Sequence, residues 1–252
     1  MSISRSYLYR ILKSIKDRGI MRTVKLVYAE RLFEWRLGTD TAGIVHLHEL
    51  EIASPNKAVG VRYEGSNLFV FRDLIRQIPI TDFCDRTFLD FGCGKGRAMM
   101  LAATHGFRNI IGVDFSKDLC DSCQRNLKQY QRSTRTVSSF EVVQSDVVEY
   151  QIPSEVTVFF FNNPFGLTVL ARVIDNIQAS LAETPRQIWV LYENALHHDL
   201  FVSRGFRVLF RQEQNCLRIY PDGAAIYTID APAPRNTEPQ AFRQLAQHGS
   251  ER

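Results

Sequence analysis

Ten residues, Phe88 to Arg97 (FLDFGCGKGR), limit what this chain can fold into more than any other stretch. They begin as a short apolar strand and run through Gly92, Gly94 and Gly96 into a helical pattern. Glycine tolerates positive φ and lets a backbone approach a ligand closely. A strand leading through such a loop into a helix is a building unit of open parallel sheets, whose ligands lie beyond the carboxyl ends of the strands. The spacing is G-x-G-x-G, not the G-x-G-x-x-G of dinucleotide sites. Asp90 would repel a pyrophosphate but suits a ligand carrying an ammonium or sulfonium group. The Walker spacing also fails, because Leu89 stands where its first glycine belongs. The plain alternative is a tight strand–helix turn that holds no ligand.

Downstream, short apolar runs alternate with helical patterns. Strands are expected at 86–91, 109–114, 140–144, 156–161, 187–192, 206–210, 217–220 and 224–229. Helices are expected at 68–78, 96–104, 117–131 and 167–181, with a short one near 196–203. This alternation predicts an α/β fold with a parallel sheet covered on both faces. Pro221-Asp222-Gly223 is a hairpin signal between the last two strands, so an antiparallel hairpin should close one edge. Residues 1–60 read as a basic helical extension, 61–230 as the main domain, and 231–252 as a polar, Pro-bearing tail expected to be disordered.

The N-terminal helical pattern carries Tyr7, Leu8, Ile11, Leu12 and Ile15, breaks at Gly19, and continues through Val24, Leu26, Val27, Leu32 and Phe33. Net charge is +4 over 252 residues, but residues 1–36 hold nine Lys/Arg against Asp17, Glu30 and Glu34. Any anionic partner should therefore meet this segment. A helical cap with solvated cations is the expected role, and a membrane-surface or nucleic-acid contact the sharper one. No run of 18 apolar residues predicts a spanning helix. Arg10, Lys13, Lys16 and Arg18 interrupt any signal-peptide pattern. The odd set of five cysteines implies free thiols and a cytoplasmic location. Cys120 and Cys123 form a C-x-x-C inside a helical pattern, expected to be structural. His46 and His48 lack a ligand partner at a convincing spacing, so no metal site is expected.

Two further acids raise the weight of the glycine loop. Asp114 ends the second core strand, where a carboxylate can accept from two ribose hydroxyls. Asp146 follows the third, where it can accept from an adenine amino group while Val147 packs on the ring. Singly, each acid is more often a cap or turn residue. Together with the loop, the region from about 86 to 195 resembles class I S-adenosylmethionine-dependent methyltransferases. The resemblance implies a Rossmann-like, mostly parallel seven-stranded sheet, with S-adenosyl-L-methionine as cofactor. It assigns Asp90, Gly92, Gly94 and Gly96 to the methionine part, Asp114 to the ribose and Asp146 to the adenine, with Cys93, Phe115 and Val147 also expected at the cofactor. Tyr63-Glu64-Gly65 resembles an upstream segment that closes over the cofactor, although an ordinary surface turn fits the same residues.

The methyl acceptor should face the fourth strand's end, Asn162-Asn163-Pro164-Phe165-Gly166. Asn162 and Asn163 can accept from an amine, Pro164 sets the turn, and Phe165 offers a face to a ring or a methylated cation. A turn in which these residues only shape the backbone is the alternative. Enzymes that methylate exocyclic amines carry Asn/Asp-Pro-Pro-Tyr/Phe, and Asn163 departs from that pattern. Non-SET lysine methyltransferases carry a similar Asn-Asn-Phe, from which Pro164 departs. Both comparisons point to a nitrogen acceptor. Glu193, Asn194 and His197 are the nearest candidate polar groups, with His197-His198-Asp199 either a base or a helix-capping cluster. Two other functions compete: a nicotinamide-dependent oxidoreductase, and a non-catalytic module that binds nucleic acid or membrane through the basic helix.

Overall fold

The computed structural model describes residues 12, 14–16, 19–45, 63–212 and 223–229. A helix α1 (Ile20–Leu37) runs between two glycines of positive φ, Gly19 (φ 82°) and Gly38 (φ 68°). Gly38 N and Thr39 N both donate to Glu34 O, which closes the helix. Two short strands, β1 (Ile44–Val45) and β2 (Tyr63–Glu64), pair antiparallel. That pairing anchors Tyr63 and Glu64 on a strand, not in the surface turn that was the alternative reading. His46, His48, Cys216, the expected strand at 217–220 and the tail at 231–252 lie outside the described residues.

The main body begins with α2 (Leu68–Gln77), whose Asn67 cap accepts from Phe69 N and Val70 N. It then alternates β3 (Thr87–Phe91), α3 (Arg97–Thr104), β4 (Asn109–Asp114), α4 (Lys117–Thr134), β5 (Ser139–Gln144), β6 (Val156–Asn162), α5 (Leu167–Glu183), β7 (Ile188–Glu193), α6 (His198–Ser203), β8 (Arg207–Gln212) and β9 (Ala224–Ile229). The seven-stranded sheet has the order β5-β4-β3-β6-β7-β9-β8. Strands β3 to β7 are parallel, while β9 runs antiparallel between β7 and β8. At this edge β9 pairs antiparallel with both β7 and β8.

Central strands are apolar on both faces because both faces are covered. All five residues of β3 are buried, whereas edge strands β5 and β8 alternate with partly exposed positions. The run Phe159-Phe160-Phe161 shows the period of two: Phe160 packs with α2 and α3, and Phe159 and Phe161 pack with α5 and α6. The chain leaves β3 toward β4 on one side and returns to β6 on the other. That reversal opens a crevice at the carboxyl ends of β3 and β6. Among the described residues no helix is long and apolar enough to cross a membrane.

Candidate active site

A cleft open to solvent sits at this reversal. Its lining includes Tyr63, Asp90, Gly92, Cys93, Asp114, Phe115, Asn162, Pro164 and Phe165, all expected from sequence, together with Arg97 and Leu119. The glycine loop wraps around the end of β4: Gly92 N and Cys93 N donate to Val113 O at 2.8 and 3.1 Å, and Gly94 N to Asp114 Oδ2 at 3.0 Å. Gly94 has φ 54°, and a Cβ there would overlap the Tyr63 ring. At Gly92 (φ 79°) a Cβ would stand 2.6 Å from Pro164 Cβ. Two segments distant in sequence thus lie directly on the loop. Tyr63 is held there by its hydroxyl, which donates to Thr41 O at 2.7 Å.

Carboxylates dominate the electrostatics. Asp90 is 3% exposed, and burial, followed by the fields of Asp114 and Glu193, holds its pKa well above the usual carboxylate range. Asp114 is pushed up to about 6 by burial, opposed by backbone N–H groups of Ser116, Gly94 and Phe115. Its two oxygens accept from Gly94 N and Ser116 N. Glu193, at the end of β7, accepts from Asn67 N at 3.0 Å.

The one cation among the described lining residues, Arg97, is turned away from these acids. Its Nε donates to Thr41 Oγ1 at 2.9 Å, and its Nη1 to Glu30 Oε1 at 3.1 Å and Ser66 O at 3.3 Å. Nη2 stands 3.6 Å from Glu34. Glu34 in turn accepts from Thr41 N at 2.8 Å and from Ala42 N. Helix α1 is therefore fastened to the cofactor loop through two buried acids. Sequence reasoning counted Glu30 and Glu34 only as charge, and gave Arg97 no role. A signal was present: an arginine in the first turn of a helix opposes the helix dipole and needs acidic partners. Glu30 and Glu34, one turn apart, present one such face.

At the end of β6, Asn162 is clamped. Its Nδ2 donates to Glu64 O at 3.1 Å, and its Oδ1 accepts from Asn194 Nδ2 at 2.7 Å. Asn163 (φ 43°) points elsewhere, accepting from the Tyr192 hydroxyl at 3.0 Å, and is not part of the cleft lining. Phe165 is buried, edge-on to Phe161 at 6.3 Å. Gly94 and Gly96 shape the loop from behind, the latter against Cys123 Sγ. Asp146 and Val147 are also outside the lining: Asp146 Oδ1 accepts from Val148 N at 3.0 Å, and Val147 is buried in the core under α5. His198 bonds the Tyr227 hydroxyl at 2.8 Å and stacks on its ring, and His197 makes no side-chain capping bond. Cys120 and Cys123 are buried, free thiols on the inner side of α4. Among the described residues no group of His, Cys, Asp and Glu is arranged to hold a metal.

The donors present fit S-adenosyl-L-methionine. Asp90 offers a buried carboxyl to a cationic group, Asp114 offers hydroxyl acceptors, and the glycine at 94 removes the Cβ that would block the segment above it. The model of a methyltransferase domain family matches residues 88–184. No curated protein matches the chain. Among solved structures, the chain is similar to magnesium protoporphyrin IX methyltransferase from Synechocystis PCC 6803 with bound S-adenosylmethionine (12% identity, 64% of this chain and 76% of that one, TM-score 0.46). It is also similar to a methyltransferase from Aquifex aeolicus (10%, 63% and 89%, 0.47) and a ribosomal protein methylase from Lactobacillus delbrueckii subsp. bulgaricus (10%, 69% and 83%, 0.48). The family match spans β3 to α5 with its glycine loop at the sheet's reversal, so residues 88–184 form a methyltransferase domain.

Proposed function

We propose that the enzyme methylates a nitrogen, on an amine that reaches the cleft past Asn162 and Phe165. The observation that carries this is the charge of the cleft. Glu64, Asp90 and Asp114 line it, Glu193 lies close enough to act on Asp90, and the one described lining cation is committed to Glu30 and Glu34. Such a field favours cationic ligands, both the cofactor's charged end and an acceptor amine. The cofactor supplies a methyl group already activated on a sulfonium. What remains for the protein is alignment of nucleophile and sulfur, a proximity effect.

In this proposal Asp90 faces the cofactor's cationic end, and the loop backbone from Gly92 to Gly96, with Cys93, cradles its methionine part. Asp114 accepts from the ribose, with Phe115 and Leu119 as apolar walls for the base. Asn162, clamped by Asn194, keeps Glu64 and the segment from Tyr63 closed over the cleft, and presents its remaining carboxamide valences to the amine. Pro164 and Phe165 set the turn and the apolar wall beside it. Asn163 supports that turn through Tyr192. The amine attacks in its neutral form, and the methylated ammonium sheds its proton to solvent.

The test is incubation of the full chain with methyl-labelled cofactor and parallel panels of amines, alcohols and carboxylates. Label should enter the amines in a linkage stable to base, and Asn162→Ala should lower turnover tenfold or more. Label released by base, as from a methyl ester, would overturn the nitrogen assignment while leaving the methyltransferase intact.

A further inference from the structure

Helix α1 carries apolar residues on two sides. Its inner side holds Thr23, Leu26, Glu30 and Glu34, with Phe33 and Leu37 packed against the core; both acids pair with Arg97, and Glu34 also lies 3.7 Å from Arg31. Its exposed side carries Ile20, Met21, Val24, Tyr28 and Trp35, with Met21 72% and Trp35 79% exposed. At 3.6 residues per turn, these five fall within an arc of about 100°. Lys25, Arg31 and Arg36 are exposed in or beside that arc. An apolar stripe of this size on a solvent face marks an interaction surface.

Charge decides among the occupants. Residues 1–36 hold nine Lys/Arg and three acids. On α1 the acids Glu30 and Glu34 are buried, so the charges on its described exposed side are the cations Lys25, Arg31 and Arg36. A second copy of the chain would bring Lys25, Arg31 and Arg36 against their like across a two-fold interface. A nucleic acid would meet the cations and the rings, but burying Ile20, Met21 and Val24 against phosphates gains nothing. An anionic lipid surface satisfies both features. Aliphatic and aromatic side chains enter the boundary between headgroups and acyl chains, while lysine and arginine meet the lipid phosphates.

We propose that α1 docks this methyltransferase, as an active enzyme, flat on an anionic lipid surface through Ile20, Met21, Val24, Tyr28 and Trp35. The test uses the full chain with vesicles of phosphatidylcholine alone or mixed with phosphatidylglycerol. Co-sedimentation should be at least tenfold stronger on the phosphatidylglycerol vesicles and should weaken as salt is raised. Met21→Glu with Val24→Glu should lower partitioning tenfold or more while leaving cofactor affinity within twofold. Trp35 emission, taken as the difference between the parent and Trp35→Phe, should shift to the blue on those vesicles. Equal partitioning of parent and double variant, no shift of Trp35, RNA binding without vesicle binding, or a dimer that shields Trp35 would each overturn the proposal. Should the double variant lose cofactor binding, the Trp35 shift in the parent decides alone. None of these outcomes bears on the acceptor, so failure here is separable from failure of the nitrogen assignment.

Discussion

Gly94 and Asp114 meet through a single hydrogen bond, and each exposes a different physical constraint. Gly94 has positive φ and lies beneath the Tyr63 ring. Gly94→Ala should weaken cofactor binding at least tenfold by calorimetry. Adding Tyr63→Ala should restore only part of the loss, because it relieves the overlap but not the φ strain. Asp114 has a pKa of about 6 when folded, against about 3.9 in an unfolded chain. The folded protein therefore holds more protons between those values, and this group's contribution to stability falls as pH rises from 4 to 6, then levels off. The shift corresponds to about 3 kcal/mol at most, and Asp90 acts in the same direction. Ligand-free protein should resist urea better at pH 5 than these groups allow at pH 7, and Asp114→Asn should flatten that difference. Cofactor affinity should move the opposite way, rising between pH 5 and pH 7 as Asp114 ionises and becomes a full acceptor for the ribose hydroxyls. Asp146→Ala should weaken cofactor binding less than Asp114→Ala, since Asp146 caps its own turn.

At the scale of elements, α1 and α3 are joined by a buried ion cluster. Removing one partner of such a cluster leaves charge buried without its counter-ion, at a cost of about 3–5 kcal/mol. Arg97→Met should therefore destabilise by that order in urea unfolding, and should detach α1 from the loop. Glu30→Gln should cost less, because Arg97 retains Glu34, Thr41 and Ser66 as partners. A readout at the site is available: hydrogen exchange at Thr41 and Ala42, whose N–H groups bond Glu34, should accelerate in Arg97→Met. At the start of α2, Asn67→Ala removes the acceptor for Phe69 N and Val70 N and should cost about 1 kcal/mol.

For the molecule as a whole, the cofactor cleft joins parts far apart in sequence. Thr41, Tyr63, Gly94, Asn162 and Asn194 are tied through hydrogen bonds and close packing across β2, β3, β6 and the loop after β7. Ligand binding should therefore stabilise the fold globally and not only the loop. At one hundred times the dissociation constant, S-adenosylmethionine should add about 2.7 kcal/mol. For a chain of this size that is a rise of about 5–10 °C in Tm. NAD at the same concentration should leave Tm unchanged, and an equal shift with NAD would contradict the glycine-spacing argument.

Sequence alone determined the sheet and the cofactor loop. Strand and helix periodicity placed β4 and β9 at their observed bounds, and G-x-G-x-G with Asp90 and Asp114 was legible because backbone conformation and charge are local properties of short stretches. The β8–β9 pairing was harder to read, since partner choice in a hairpin depends on which strand neighbours the sheet edge. Only the tertiary structure decided that Asn162 is a clamp between Glu64 and Asn194, that Asp146 faces its own turn, and that Arg97 belongs to α1. It also showed that α1 buries Glu30 and Glu34 beside Leu26 and turns a second apolar set outward. The reason is common to all of these. A side chain's partner sixty or ninety residues away is set by how strands and helices stack, and no periodicity along the chain encodes that distance.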